Sequence, residues 1–172
     1  MIRLARHHDL ARLQSIEVAA GEAFRTLGMD RIADDDPPSI AELEPYLDGG
    51  RAWVADEDGT VAGYLIASIV DDEAHIDQVS VHSDFARRGI GAALIEEFER
   101  WARSQELRGL SLTTYRDVTW NAPYYARLGF HVVPDADLTD SMRAIRAHEA
   151  ELGLDEWPRV VMTRNISLYR QP

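Results

Sequence analysis

The residues best suited to chemistry form one run, Val79-Ser80-Val81-His82-Ser83-Asp84-Phe85-Ala86-Arg87-Arg88-Gly89-Ile90-Gly91-Ala92. It reads as the end of a strand, a basic loop with glycines, and the start of a helix. Amides at a helix N-terminus lack partners within the helix and form an anion site. Gly89 and Gly91 let backbone approach a phosphate, and Arg87 and Arg88 add positive charge. The chemistry on offer is the holding of a pyrophosphate group, although the same residues also suit a plain strand-to-helix turn. Two commoner phosphate motifs are absent. A dinucleotide fingerprint needs a further glycine where Leu94 stands, and a Walker A loop needs Gly-Lys-Ser or Gly-Lys-Thr.

Such a loop needs a strand to deliver it and a helix to receive it. Ala74 to Val81 supplies the strand, with Ile76, Val79 and Val81 apolar. The helix runs to about Ser104 and carries an apolar stripe at Ile90, Leu94, Phe98 and Trp101. Upstream, a strand is expected over Ile2–Ala5. A helix starts at about Asp9 as its N-cap, with Leu10, Leu13, Ile16 and Ala20 on one side. Asp34-Asp35-Asp36-Pro37-Pro38 is a loop, and Ser39 caps a short helix towards Leu47. Ala52–Ala55 and Val61–Val70 read as strands joined by Asp56-Glu57-Asp58-Gly59, with a second turn at Asp71-Asp72-Glu73. Downstream come a strand over Gly109–Thr114, a short helix over Trp120–Leu128 closed by Gly129, and a strand over Phe130–Val133. A helix from about Asp137 to Leu152 and a strand over Arg159–Ile166 complete the chain. Early antiparallel hairpins followed by βα units predict an α/β (mixed α+β) fold with helices on both faces of a mixed sheet. Residues 1–172 suit a single domain.

The absence of cysteine excludes disulfides, thiolate metal sites and a thiol nucleophile. Neither a signal peptide in Met1–His8 nor an apolar run of membrane-spanning length is present, so a cytoplasmic protein is expected. The net charge of -12 disfavours nucleic acid and anionic membranes as partners and favours cationic small molecules, or serves solubility alone. The six histidines follow no metal-ligand pattern, and no metal is expected.

The strand end Val79-Ser80-Val81 and the loop Ala86-Arg87-Arg88-Gly89-Ile90-Gly91 resemble the signature of the GNAT superfamily of N-acetyltransferases, Arg/Gln-x-x-Gly-x-Gly/Ala after an apolar-x-Val strand end. Ala86 departs from it, standing where the family often has arginine or glutamine. Trp120-Asn121-Ala122-Pro123-Tyr124-Tyr125-Ala126-Arg127-Leu128-Gly129-Phe130 resembles a second family segment, Asn…Tyr-x-x-x-Gly-Phe, about thirty residues on. The resemblance covers roughly Arg51 to Val133. It implies a mostly antiparallel sheet of about six to seven strands, splayed after the fourth, and acetyl-CoA as cosubstrate with CoA as product. Val79, Ser80 and Val81 would pair their backbone with the pantetheine arm, with the valine side chains in the core. Amides of Arg87, Arg88, Gly89, Ile90, Gly91 and Ala92 would hold the pyrophosphate.

Acetyl transfer to an amine needs a deprotonated amine, a stabilised oxyanion and a proton for the departing thiolate. Without cysteine, direct attack in a ternary complex is the simplest scheme. The resemblance implies that Tyr125 is the acid, against an ordinary core role. It implies that Asn121 contacts the cofactor arm, a role compatible with capping the following helix. The family's base position falls on His75, with Asp77 and Glu73 nearby; the alternative is a surface histidine with water as base. The family's acceptor region corresponds to Gly21–Asp48. Residues 30–48 hold seven acidic side chains and one basic, and Phe24, Met29 and Tyr46 would add apolar contact. These features predict a small, cationic primary amine. A protein or peptide acetyltransferase and a non-catalytic acyl-CoA-binding module are the alternatives. Trp120, Trp157 and the last strand are candidates for a homodimer face.

Overall fold

The computed structural model describes residues 1–166. Its strands are β1 (Ile2–Leu4), β2 (Ala52–Glu57), β3 (Thr60–Val70), β4 (Glu73–Val81), β5 (Gly109–Tyr115), β6 (His131–Val132) and β7 (Arg159–Asn165). Its helices are α1 (Leu10–Gly21), α2 (Asp30–Ala33), α3 (Ile40–Asp48), α4 (Ile90–Ser104), α5 (Ala122–Arg127) and α6 (Asp140–Glu151). The strands make a seven-stranded open sheet in the order β1-β2-β3-β4-β5-β7-β6. Strands β1–β2, β2–β3, β5–β7 and β6–β7 pair antiparallel, and β4 pairs with β5 in parallel. The chain falls into two compact units: Met1–Ala67 with Gln78–Phe98, and Ser68–Asp77 with the residues from Glu99 onward.

In the first unit, β1 and β2 pair from Ile2–Ala55 to Leu4–Trp53. The β2–β3 turn is tight because Asp58 and Gly59 both take positive φ, 50° and 86°, the geometry a two-residue hairpin needs. Asp56 Oδ1 accepts the Gly59 amide at 2.8 Å. Leu10, Leu13 and Ile16 of α1 and Leu43 of α3 pack on Val54, Tyr64 and Ile66. Trp53, on the opposite face of β2, meets Phe98 of α4 edge-on at 5.4 Å, so helices cover both faces of this unit. Ser39 caps α3 reciprocally with Glu42. Asp9 does not cap α1 with its side chain. Its carboxylate is drawn instead to the Arg3 guanidinium at 2.8 and 3.0 Å and the Arg6 amide at 2.8 Å.

In the second unit, β5 pairs with β7 from Gly109–Asn165 to Tyr115–Arg159. The β4–β5 ladder joins Glu73–Ile76 to Gly109–Leu112 and stops there, while β4 itself continues to Val81. The β3–β4 turn contains no glycine: Asp71 and Asp72 take positive φ themselves, 52° and 62°. The Asp71 carboxylate then accepts the Thr139 and Ser141 hydroxyls at 2.5 and 2.8 Å, at the entrance to α6. That helix starts later than expected because Thr139, not Asp137, caps it by accepting the Met142 amide. α5 is also shorter than expected and ends before Gly129, whose φ of 87° stops it.

Candidate active site

In the first unit, the run after β4 has a backbone geometry suited to an anion. Arg87 and Gly89 both take positive φ, 61° and 77°, immediately before α4. A left-handed arginine costs free energy and persists where the surroundings hold it, typically at ligand clamps. Arg87, Arg88 and Gly89 are exposed, whereas Ile90 is buried and anchors the helix. The Arg88 side chain lies over the Phe85 ring at 5.1 Å and donates to the Asp84 carbonyl at 3.2 Å. A Cβ on Gly89 would meet nothing within 4 Å, so this glycine answers a conformational demand. Gly63 answers a spatial one. A Cβ there would lie 2.9 Å from the Ser80 carbonyl oxygen and 3.2 Å from side-chain carbons of Ile90 and Val81.

The side chains of Val79 and Val81 are half-buried, not core. The buried side chain between them is Ser80, which donates to Glu17 at 2.7 Å and accepts from Gln78 at 2.8 Å. Glu17 also accepts from the Tyr64 hydroxyl at 2.7 Å and from Gln78 at 3.1 Å. Burial, then the Glu17 charge, pushes the Tyr64 pKa well up. The sequence reading passed over this network. Its signal is Glu17 itself, four residues after Leu13 and so beside the apolar stripe of α1.

The second unit carries His75, Asn121 and Tyr125. Tyr125 is 8% exposed, with its ring edge-on to Tyr124 at 5.4 Å and to Phe130 at 5.9 Å. Asn121 precedes α5, but its side chain makes no cap hydrogen bond. The capping role is thereby removed and the amide left available for other work.

His75 is not a surface residue: it is 3% exposed. Its Nδ1 lies 3.0 Å from Oγ of Ser111, which is fully buried on β5. Burial holds the His75 pKa below its usual value, against the pull of the Asp77 and Glu149 carboxylates. His75 is therefore neutral at physiological pH, as a proton acceptor must be. Asp77 is exposed and takes the Ser68 hydroxyl at 2.5 Å. Glu73 is half-buried, and burial raises its pKa while hydrogen bonds from Thr163 and Ser111 act the other way. Glu149 of α6 accepts from Thr113 at 2.9 Å, Arg159 at 2.9 Å and Arg146 at 3.3 Å. Ser111 and Glu149 were missed by the sequence reading. Ser111 shows as the polar residue between Leu110 and Leu112, and Glu149 lies seven residues after Met142, on one helical face.

The acceptor region of the first unit departs from expectation. Met29 is 2% exposed and belongs to the interior. Tyr46 packs against the α1 core cluster, and Phe24 is half-buried. The acidic rim is partly compensated, because Arg25 reaches Glu22, Asp30 and Asp34 at 3.0, 3.8 and 2.7 Å.

A family model described as "Acetyltransferase (GNAT) family" matches residues 5–130 of this chain. The chain belongs to that family. This GNAT chain is an acetyl-CoA-dependent N-acetyltransferase, and its cosubstrate is acetyl-CoA. Solved structures agree on the GNAT fold. A GNAT-family acetyltransferase from Staphylococcus aureus Mu50 superposes with a TM-score of 0.71 at 16% identity, covering 96% of this chain and 98% of that one. Rv2747 from Mycobacterium tuberculosis, in complex with CoA and NLQ, gives 0.69 at 18% identity over 96% and 99%. The ribosomal-protein-S18-alanine N-acetyltransferase from Escherichia coli gives 0.66 at 21% identity over 97% and 94%.

The cradle of this GNAT chain fits the diphosphate of CoA. Two left-handed residues precede a fifteen-residue helix, whose first amides are free by helix geometry. Two arginines stand beside them, and a Cβ at Gly89 would meet nothing within 4 Å.

Proposed function

We propose that this GNAT enzyme acetylates the primary amine of a small, cationic acceptor by direct transfer in a ternary complex, as one domain spanning residues 1–172. The observation carrying this reading is a buried histidine, its pKa held down by that burial, at the position where the family resemblance places the base. Acetyl-CoA, when bound, supplies an activated thioester acetyl group. The amides of Arg87, Arg88, Gly89, Ile90, Gly91 and Ala92 hold the pyrophosphate, with the two arginines adding charge. Val79, Ser80 and Val81 offer backbone groups to the pantetheine arm. The Ser80 side chain is committed to Glu17 and Gln78 and takes no part. Asn121, released from capping, contacts the same arm. His75 receives the amine's proton, and Tyr125 gives one to the leaving thiolate.

A small cationic acceptor is favoured by the net charge and by Asp35, Asp36 and Glu44, which stay exposed after Arg25 takes its share of the rim. The test is an amine screen with thiol release as readout, followed by initial rates at crossed concentrations of acceptor and acetyl-CoA. Turnover of a small cationic amine with intersecting reciprocal plots is expected. Turnover of peptides alone overturns the acceptor class. Parallel plots overturn direct transfer.

A further inference from the structure

Four polar side chains of the first unit meet at one point. Glu17 comes from α1, Tyr64 from β3, and Gln78 and Ser80 from β4. The Tyr64 and Ser80 hydroxyls each lie 2.7 Å from Oε2 of Glu17. Nε2 of Gln78 lies 3.1 Å from Oε1 of Glu17 and 2.8 Å from the Ser80 hydroxyl oxygen. A carboxylate has acceptors only, so it fixes the direction of each proton around it. Tyr64 and Ser80 both donate to Oε2. The Gln78 amide turns its nitrogen to Oε1, and its second N–H reaches the Ser80 oxygen, which is free to accept. Tyr64 is fully buried and Ser80 is 5% exposed. Shielded hydrogen bonds to a charged acceptor are the strong kind.

The β4–β5 ladder ends at Ile76–Leu112, while β4 runs on to Val81 without its β5 partner. On the β3 side, the His82 amide donates to the Ala62 carbonyl at 2.8 Å and fixes the far end of the stretch. Between these two points, Gln78 and Ser80 share one face of the strand, and both are tied to Glu17. Val79 and Val81 use the opposite face. The peptide groups from Val79 to Val81 are thus steadied on their unladdered edge through side chains. A strand already held in its bound form spares a ligand the cost of ordering it.

We propose that Glu17 is a positioning residue, which acts through Ser80 and Gln78 to hold the end of β4 in the extended form that the pantetheine arm pairs with. This rests on the reading of Val79, Ser80 and Val81 as the pantetheine contact. Glu17 and the Ser80 hydroxyl touch no cofactor atom in this arrangement; they set the backbone that does.

Binding is read by calorimetry on the full-length protein with two ligands. One is CoA. The other is phosphoadenosine diphosphate, which is CoA without its pantetheine arm, titrated in competition with CoA. The wild type should bind CoA the more tightly. Equal affinity removes the reading of β4 as the pantetheine strand, and the proposal with it. Ser80→Ala leaves the Tyr64 and Gln78 bonds to Glu17 in place and releases the strand. Its CoA affinity should fall about five- to tenfold, with the affinity for the nucleotide unchanged. A loss shared equally by both ligands marks a merely structural role and overturns the proposal, as does no loss. Tyr64→Phe removes a bond of the same cluster away from β4. It should lower Tm and spare CoA affinity; a CoA-selective loss equal to that of Ser80→Ala overturns the proposal. Glu17→Gln keeps the side chain's size and an oxygen for both hydroxyls, but sets an N–H against that of Gln78. A smaller loss, again for CoA alone, is expected. No selective loss in Glu17→Gln overturns the proposal even where Ser80→Ala does not fold.

Discussion

Replacing Gly63 by alanine tests how the cofactor cradle is held. The new methyl carbon would sit 2.9 Å from the Ser80 carbonyl oxygen and 3.2 Å from Cγ2 of both Ile90 and Val81. Two of these neighbours are side-chain ends that give by a few tenths of an ångström. The third is a strand carbonyl, which gives less readily. Overpacking of this kind costs about 1–3 kcal/mol. Alanine also removes chain freedom that glycine has when unfolded, which returns about 0.5–1 kcal/mol. The net loss is about 1–2 kcal/mol, or about 2–8 °C in Tm for a domain of this size. The displacement is also directed. Val81 ends β4 and Ile90 opens α4, so the methyl pushes on both ends of the segment proposed to bind the pyrophosphate. CoA affinity should therefore fall several-fold beyond any loss of folded protein. Thermal unfolding and calorimetric titration with CoA, run below the variant's transition, separate the two effects. A variant with wild-type Tm and wild-type Kd would refute the close-packing argument.

Three further outcomes are expected. Gly89→Val must place a β-branched residue at a φ of 77°; the cost of about 1–2 kcal/mol should appear as roughly a five- to thirtyfold weaker CoA Kd, and an unchanged Kd would put the cradle elsewhere. Tyr125→Phe should lower kcat by about 10²-fold or more with little change in CoA affinity, and unaltered turnover would reject its role as acid. His75 has a folded pKa below its unfolded value of 6.5, so between those values the unfolded chain binds more protons and stability rises with pH. Its contribution is complete above pH 6.5 and is lost as pH falls towards the folded value; urea midpoints should drop on acidification through this window, and His75→Gln should flatten the drop.

What the sequence made legible is what depends on neighbours in the chain. The strand, glycine loop and helix from β4 to α4 follow from turn and stripe chemistry, and so does the Ser39 cap. Asp9 shows where local reasoning stops. It has the right residue type for a cap, yet a guanidinium six positions away in the chain offers its carboxylate stronger bonds. Asn121 fails as a cap for a different reason, its backbone lying at φ −110° and ψ −116°. His75 and Ser111 meet through strand register, which no spacing within either strand reveals. Met29 sits between glycine and aspartate in a polar stretch, but tertiary packing buries it.

The Asp71–Asp72 turn joins two requirements that an engineer would wish to separate. Asparagine-glycine is the easier pair for this backbone, and it would make a better hairpin in isolation. The same change would remove the carboxylate that gathers the Thr139 and Ser141 hydroxyls. A less comfortable turn is thus kept as a latch for α6, the segment whose Glu149 lies over β5 and β7. Consensus-style optimisation of this hairpin would gain local stability while loosening a helix about seventy residues further along the chain.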